Sequence, residues 1–164
     1  MIINRLPVSF LSKLDTYEIE MHGEKVKVSV VDNPAMVSAK IYELKSSLQT
    51  LQRRVVGINI KFVKIYGNSY LAKLLLLCCG ALCLIIQLSR LDLFPETLMQ
   101  FLSDETICFL GKGMSTIINE LNSSHFFFLE DQKKYIKCRT GVEVGYMAAK
   151  FLKKANIERY GLVE

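Results

Sequence analysis

An apolar stretch at residues 71–88 constrains the fold of this chain more than any other feature. Its central part, residues 74–86, contains no charge and no strong hydrogen-bonding side chain. A membrane-spanning helix needs about 20 apolar residues, whereas Lys73 and Gln87 leave only this shorter segment between them. Gly80 divides the segment into two halves of strand length, and apolar runs without polar alternation are typical of strands covered on both faces. We therefore predict two buried strands that turn near Gly80, with a membrane helix as the alternative.

The composition indicates one globular domain. With 164 residues, 51% of them hydrophobic and 23% charged, the chain can bury enough apolar surface to offset the entropy of ordering. This composition excludes an intrinsically disordered protein. We predict an N-terminal tail at residues 1–16 and a single domain at residues 17–164. The N terminus has no small-residue cleavage pattern, so a secretory signal is not expected.

Charge and cysteine content indicate the environment of the protein. The net charge of +5 is compatible with a polyanionic partner but does not require one. The five cysteines lie in or beside apolar runs, are odd in number and lack the spacing of a disulfide framework. They therefore predict reduced, buried thiols in an intracellular protein of the nucleus or cytoplasm.

Hydrophobic periodicity predicts alternating strands and helices. Residues 17–31 have the pattern of a β-hairpin that turns at residues 22–24. Asn33 and Pro34 suit the N-cap and the first position of a helix that follows this hairpin. The later elements are predicted, in chain order, as a strand at 55–62, a turn at 66–69, the apolar hairpin, a helix from Pro95 to residue 102, a strand at 106–110, a turn at 111–113, a helix at 114–121, one or two strands at 135–144 and a helix at 146–154. This order predicts an α/β protein with a mixed sheet.

Apolar stripes predict the buried faces of the first and last helices. The first stripe consists of Met36, Ile41, Leu44, Leu48 and Leu51. The last stripe consists of Met147, Ala148, Phe151 and Leu152. In the strand at 55–62, the two-residue period directs Asn59 and Lys61 to one face and Ile58 and Ile60 to the other.

The sequence Gly111-Lys112-Gly113 does not fit a phosphate-binding loop. A Walker A loop needs an earlier Gly and a Ser or Thr directly after the Lys, and a dinucleotide-binding turn needs a Gly at the position of Thr116. We therefore predict a tight strand-to-helix turn, with Ser115 as a candidate helix cap.

Other polar residues give weaker signals. His22 and His125 lie far apart in sequence and the cysteines lack metal-site spacing, so we predict neither a zinc site nor a Cys/His nucleophile. The last third of the chain is basic, which either a solvated face or a polyanion-binding surface would explain. The basic residues in question are Lys133, Lys134, Lys137, Arg139, Lys150, Lys153, Lys154 and Arg159.

The order of the segments along the chain carries a more specific signal. The segments concerned are residues 17–31, Asp32-Asn33-Pro34-Ala35-Met36-Val37, residues 55–62, residues 71–80 and 82–88, Phe94-Pro95 to Asp104, Phe109-Leu110-Gly111-Lys112-Gly113-Met114, Val142-Glu143-Val144 and Ala148-Ala149-Lys150. This ordered set resembles the plant Werner-syndrome-like 3′-5′ exonuclease domains over residues 17–164. The resemblance implies the ribonuclease-H-like α/β fold of the DEDD exonucleases, in which four carboxylates hold two Mg or Mn ions that activate water against a phosphodiester.

The chain departs from this family at every acidic position. Asn59 and Lys61 stand where the family has Asp and Glu, and Ile117 stands where it has a second Asp. The last Asp of the family would lie beyond Glu164. The resemblance therefore implies no catalytic residue, no bound metal cofactor and a domain incomplete at its C terminus. A sheet face left bare by missing helices would favour a second copy or another partner subunit.

The leading functional hypothesis is a nuclease-fold protein that has lost catalysis and binds nucleic acid. The resemblance implies that Asn59 and Lys61, together with Lys112 at the turn facing the same cleft, are the residues that contact it. Whether DNA or RNA is the ligand stays open.

Two alternatives remain at this stage. One is an active metal-dependent 3′-5′ exonuclease that uses other ligands, for instance Glu120, Asp131 or Glu143. The other is a small membrane protein anchored by residues 71–88.

Overall fold

Seven strands and four α-helices make up the part of the chain that this computed structural model describes, residues 16–64, 71–123 and 135–153. In chain order they are β1 (Thr16–Met21), β2 (Glu24–Val31), α1 (Pro34–Thr50), β3 (Val55–Lys64), β4 (Leu71–Cys79), β5 (Leu82–Gln87), α2 (Glu96–Leu102), β6 (Cys108–Gly111), α3 (Met114–Asn122), β7 (Gly141–Glu143) and α4 (Val144–Leu152). A 3₁₀ turn at Leu88–Arg90 follows β5. The periodicity of the sequence predicts this order of strands and helices, and the structure confirms it.

The apolar stretch forms β4 and β5, which pair antiparallel around Gly80-Ala81. Gly80 has a φ of 55°, the left-handed conformation that favours glycine in a tight turn. The four successive leucines of β4, residues 74–77, are each at most 2% exposed, so both faces of the strand are covered. The two buried strands are thus confirmed and the membrane-helix alternative is wrong. Within the described ranges, no helix has the length and apolar character needed to cross a membrane.

The sheet is mixed, as the sequence predicts. Its strand order is β1-β2-β5-β4-β3-β6-β7. The pairs β2–β5, β3–β6 and β6–β7 are parallel, whereas β1–β2, β5–β4 and β4–β3 are antiparallel. The apolar strand β4 therefore lies at the centre of the sheet, with β3 beside it.

Helices α1, α2 and α3 pack on one face of the sheet, called here the helix face. The sheet residues in this core cluster include Val56, Ile58, Leu75, Leu77, Leu84 and Ile86. The opposite face holds a smaller buried cluster made of Val28, Val30, Leu74, Leu76 and Ile85. Successive residues of β4 alternate between the two clusters, which explains why its sequence shows no polar alternation.

Two local signals of the sequence are confirmed. His22 and Gly23 both have positive φ angles, 52° and 82°, as a two-residue hairpin turn between β1 and β2 requires. Asn33 caps α1, where its Oδ1 accepts a hydrogen bond of 3.0 Å from the backbone nitrogen of Met36. Pro34 is the first residue of that helix.

The start of α3 differs from the prediction. The strand expected at 106–110 is β6, two residues later at its start, and Gly113 rather than Ser115 occupies the N-cap of α3. Gly113 has a φ of 70° and offers no side chain, so the first amides of the helix take their acceptor from elsewhere in the fold.

The apolar stripes of two helices are only partly correct. In α1 the buried residues are Val37, Ile41, Leu44 and Leu48, whereas Met36 and Leu51, at the two ends of the predicted stripe, are exposed. In α4 the buried residue is Ala149, whereas Phe151 and Leu152 are exposed by 77% and 60%. The turn predicted at 66–69 lies outside the described residues.

The backbone of Gly111 lies too close to its neighbours for a side chain. A Cβ there would lie 2.7 Å from the carbonyl oxygen of Ile58 and 2.7 Å from the Sδ of Met114. The oxygen belongs to β3, so it cannot move without disturbing the β3–β6 pairing. We expect Gly111→Ala to lower the free energy of unfolding by about 2 kcal/mol in urea denaturation.

Gly57→Ala is the matched control for this prediction. A Cβ at Gly57 would meet its nearest atoms, both of Cys78, at 3.7 and 3.8 Å, which are ordinary contacts. The change at Gly57 should therefore be below about 1 kcal/mol. Equal losses in the two variants would contradict the close approach at Gly111.

Candidate nucleic-acid interface

Asn59 and Lys61 lie side by side on β3, on the face opposite the helix face. The strand alternates, so Val56 and Ile58 enter the core beneath the helices while Asn59 and Lys61 point the other way. Their partners across the antiparallel pairing are Leu76 for Asn59 and Leu74 for Lys61, and both leucines belong to the opposite cluster. Asn59 and Lys61 are partly exposed. The predicted division of the strand into two faces is confirmed.

Lys112 is exposed at the turn between β6 and α3. The parallel register of β3 and β6 ends with the pair Ile58–Gly111, so Lys112 directly follows the last paired residue of β6 and Asn59 the last paired residue of β3. The tight approach of Gly111 to β3 holds this turn against the strand. Lys112 thus follows directly on the strand that pairs with β3, and its sharing of one ligand with Asn59 and Lys61 stays a prediction.

Ile117 lies apart from these three residues. It is 3% exposed and belongs to the core cluster on the helix face, together with Ile58. Its Cδ1 would lie 3.1 Å from a Cβ added at Gly111. The position at which the resemblance implies a second acid is therefore a packing position in this chain.

Glu143 of β7 caps α3. Its carboxylate oxygens accept hydrogen bonds from the backbone nitrogens of Gly113, at 3.0 and 2.8 Å, and of Met114, at 3.0 Å. Amides at a helix N-terminus favour an anion because they have no partner within the helix and lie at the positive end of its dipole. Sequence reasoning proposed Glu143 only as a metal ligand and missed this role. The sequence signal that could have predicted the cap is an acid at the end of β7, the strand that lies parallel to β6.

The structure describes one of the two other acids proposed as ligands. Glu120 forms an ion pair of 3.0 Å with Lys73 of β4, and Asp131 lies outside the described residues. Within residues 16–64, 71–123 and 135–153, no group of three or more His, Cys, Asp or Glu side chains could hold a metal ion.

The basic residues of the last third are exposed where the structure describes them. Lys137, Arg139, Lys150 and Lys153 all face solvent, and Arg139 forms an ion pair of 3.0 Å with the exposed Glu105. The remaining members of that set lie outside the described ranges. A polyanion-binding role for this surface stays a prediction.

Together, the mixed sheet and the order of its strands and helices define a ribonuclease-H-like α/β protein with the fold of 3′-5′ exonuclease domains. The EXD2 exonuclease domain is similar to the chain, with a TM-score of 0.58 and 25% identity over 83% of this chain and 64% of that domain. The EXD2 domain soaked in Mn and GMP gives a TM-score of 0.57 and 25% identity over 77% of this chain and 60% of that one.

The EXO domain of Nibbler from Aedes aegypti shares the fold, with a TM-score of 0.52 and 13% identity over 79% of this chain and 57% of that domain. The chain thus spans about three fifths of the length of these domains. No protein-family model and no curated protein matches the sequence. The predicted fold and the likeness to 3′-5′ exonuclease domains are confirmed.

The cap on α3 can be tested by Glu143→Gln. The variant keeps an oxygen acceptor but loses the charge that the helix terminus stabilises, so we expect it to lower the free energy of unfolding by about 1 kcal/mol. Urea denaturation measures this change.

Glu105→Gln provides the control, because it removes an ion pair in which both side chains are more than half exposed. Exposed pairs contribute little, so its effect should stay below about 0.5 kcal/mol. A Glu143→Gln variant as stable as the parent would contradict the capping role.

Proposed function

We propose that this chain is a nucleic-acid-binding domain of the 3′-5′ exonuclease type in which the metal-binding carboxylates have been replaced, so that it does not hydrolyse its ligand. The observation that carries the proposal is the presence of Asn59 and Lys61 side by side on β3. The resemblance to plant Werner-syndrome-like domains implies the first metal-binding acids at these two positions.

Electrostatics argues against metal-assisted hydrolysis at this place. Two metal ions that bridge a phosphodiester need concentrated anionic oxygen ligands. An ammonium group about 4 Å from a divalent ion costs on the order of 8 kcal/mol at an effective dielectric constant near 20. Lys61 can avoid that cost by turning away, but Asn59 and Ile117 still supply no anionic oxygen.

The same residues suit direct contact with a phosphate backbone. Lys61 and Lys112 carry the charge that phosphates attract, and the amide of Asn59 can donate a hydrogen bond to a phosphate oxygen. Such contacts position a strand without reading its bases. We therefore infer binding with little sequence preference.

Two further parts of the proposal rest on the sequence. Reduced thiols and a nucleic-acid ligand fit a protein of the nucleus or cytoplasm. Association with a second copy or with another subunit stays a prediction from the sequence.

Catalysis is tested with a 3′-labelled and a 5′-labelled oligonucleotide, single-stranded and duplex, in magnesium and in manganese. We expect no metal-dependent shortening from the 3′ end, with an active 3′-5′ exonuclease as the positive control. Shortening that persists through purification and is lost on chelation would overturn the proposal. The variants Glu120→Gln and Glu143→Gln would then show whether either acid serves as a ligand.

Binding is tested by titrating the same oligonucleotides over a range of salt concentrations. We expect Lys61→Ala and Lys112→Ala each to weaken binding and to reduce the slope of log K against log salt by about 0.7 for a single strand. Removing either lysine should weaken binding to different sequences about equally.

Lys25→Ala is the matched control, because Lys25 is an exposed lysine on β2 and two strands separate it from β3. It should leave affinity and salt slope unchanged. Equal effects at all three lysines would indicate a diffuse charge attraction, and binding insensitive to salt would contradict phosphate contacts altogether.

A further inference from the structure

Cys78 and Cys83 face each other across the β4–β5 hairpin. They are directly paired residues of the antiparallel register, and their Sγ atoms are 2.9 Å apart. Cys79 and Leu82 flank the two-residue turn, so we expect their backbones to exchange hydrogen bonds. Hydrogen-bonded and non-hydrogen-bonded pairs alternate along an antiparallel ladder, so the next pair, Cys78–Cys83, is a non-hydrogen-bonded pair. In such pairs the Cα atoms are about 4.5 Å apart, within the range that a disulfide spans.

The dithiol is only partly covered. The residues Cys78 and Cys83 are both partly exposed. On its other side Cys78 pairs with Gly57 of β3, which offers no side chain to cover it. The Sγ atoms need to approach by about 0.9 Å to reach the S–S bond length of about 2.05 Å.

The two thiols are also chemically coupled. The two sulfurs lie within hydrogen-bond distance, and either can be the donor. Donation from Cys83 lowers the pKa of Cys78. The same hydrogen bond, together with burial, raises the pKa of Cys83. One thiol of the pair is thus the better nucleophile and the other retains its proton, an arrangement suited to an attacking and a resolving cysteine.

We propose that Cys78 and Cys83 are a reversible oxidation site, which a peroxide converts to a cross-strand disulfide. The Cys78 thiolate attacks one peroxide oxygen, forms a sulfenic acid and releases the other oxygen as hydroxide, which becomes water on protonation. The Cys83 sulfur then displaces the sulfenic hydroxyl and forms the S–S bond, so the dithiol loses two electrons and two protons while hydrogen peroxide becomes two water molecules. A dithiol reductant reverses the step by thiol–disulfide exchange.

The remaining described cysteines do not share this arrangement. Cys79 is 1% exposed and belongs to the core on the helix face, so its side chain points away from Cys78 and Cys83. Burial raises the pKa of Cys79 and of Cys138. Cys108 lies on β6, two strands from β4.

Peptide mapping tests the site, because trypsin cleaves after Lys73 and Arg90 and so yields one peptide that contains Cys78, Cys79 and Cys83. The native, reduced protein is treated with hydrogen peroxide, the peroxide is removed with catalase, and the free thiols are alkylated after unfolding. We expect this peptide to have lost two hydrogen atoms and to carry a single alkyl group, on Cys79. Dithiothreitol before alkylation should restore three alkyl groups.

Two variants separate the role of the pair from the effect of removing a cysteine. In Cys83→Ser, Cys78 should accumulate as a sulfenic acid that dimedone traps, whereas Cys108→Ser should form the disulfide like the parent. We expect the pair to be oxidised about tenfold faster than Cys79 or Cys108. Three alkylated cysteines after peroxide treatment, or an alkyl group on Cys78 or Cys83 with Cys79 linked, would overturn the proposal.

Discussion

The burial of β4 on both faces is the constraint on which the rest of the structure depends. Each of its leucines contributes about 1.5–3 kcal/mol when removed from water, so residues 74–77 alone account for an amount comparable to the net stability of a domain. A strand of this kind needs a hydrogen-bonding neighbour on each side and a cover on each face. β5 follows through the turn at Gly80 and β3 lies on the other side, while α1, α2 and α3 cover the helix face. The position of β3, and therefore of Asn59 and Lys61, follows from this arrangement.

Helix α3 is held at both ends by charged residues of the sheet. Glu143 of β7 accepts from the amides at its N terminus, and Lys73 of β4 donates to the carbonyl oxygen of Glu120 at its C terminus, at 2.5 Å. Both charges have the sign that the helix dipole favours at their respective ends. A helix of nine residues is too short to be stable in isolation, so these contacts and its packing against the sheet determine where it begins. They thereby fix the turn that carries Lys112.

The sequence predicts the fold well and the site only in part. The order of elements, the mixed sheet and the hairpin at Gly80 follow from periodicity and turn residues, which are local signals. The cap of α3 could not be predicted in the same way, because Glu143 reaches Gly113 across thirty positions of sequence and the two meet only when β6 and β7 pair. The exposure of Phe151 and Leu152 was also not predictable from local sequence. An apolar stripe shows which face of a helix can be buried, but not whether another element covers it. For Asn59 and Lys61 the strand period predicts their shared face, whereas any binding role depends on a ligand that no local pattern encodes.

On the proposed function, the separation between core and site explains how such a fold can persist without the acids of a nuclease. Clustered carboxylates repel one another and must be kept near a metal ion, so they contribute to chemistry rather than to stability. The main core of this chain is apolar and lies beneath the three helices, on the face of the sheet opposite to Asn59 and Lys61. Ile117 adds to the core, because it is buried on the helix face, where an unpaired carboxylate would be costly. On the proposed function, the substitution that removed the second acid at position 117 is also the one that introduced the packing residue Ile117. A likeness in fold is therefore evidence of shape, and activity has to be argued from the side chains that the fold presents.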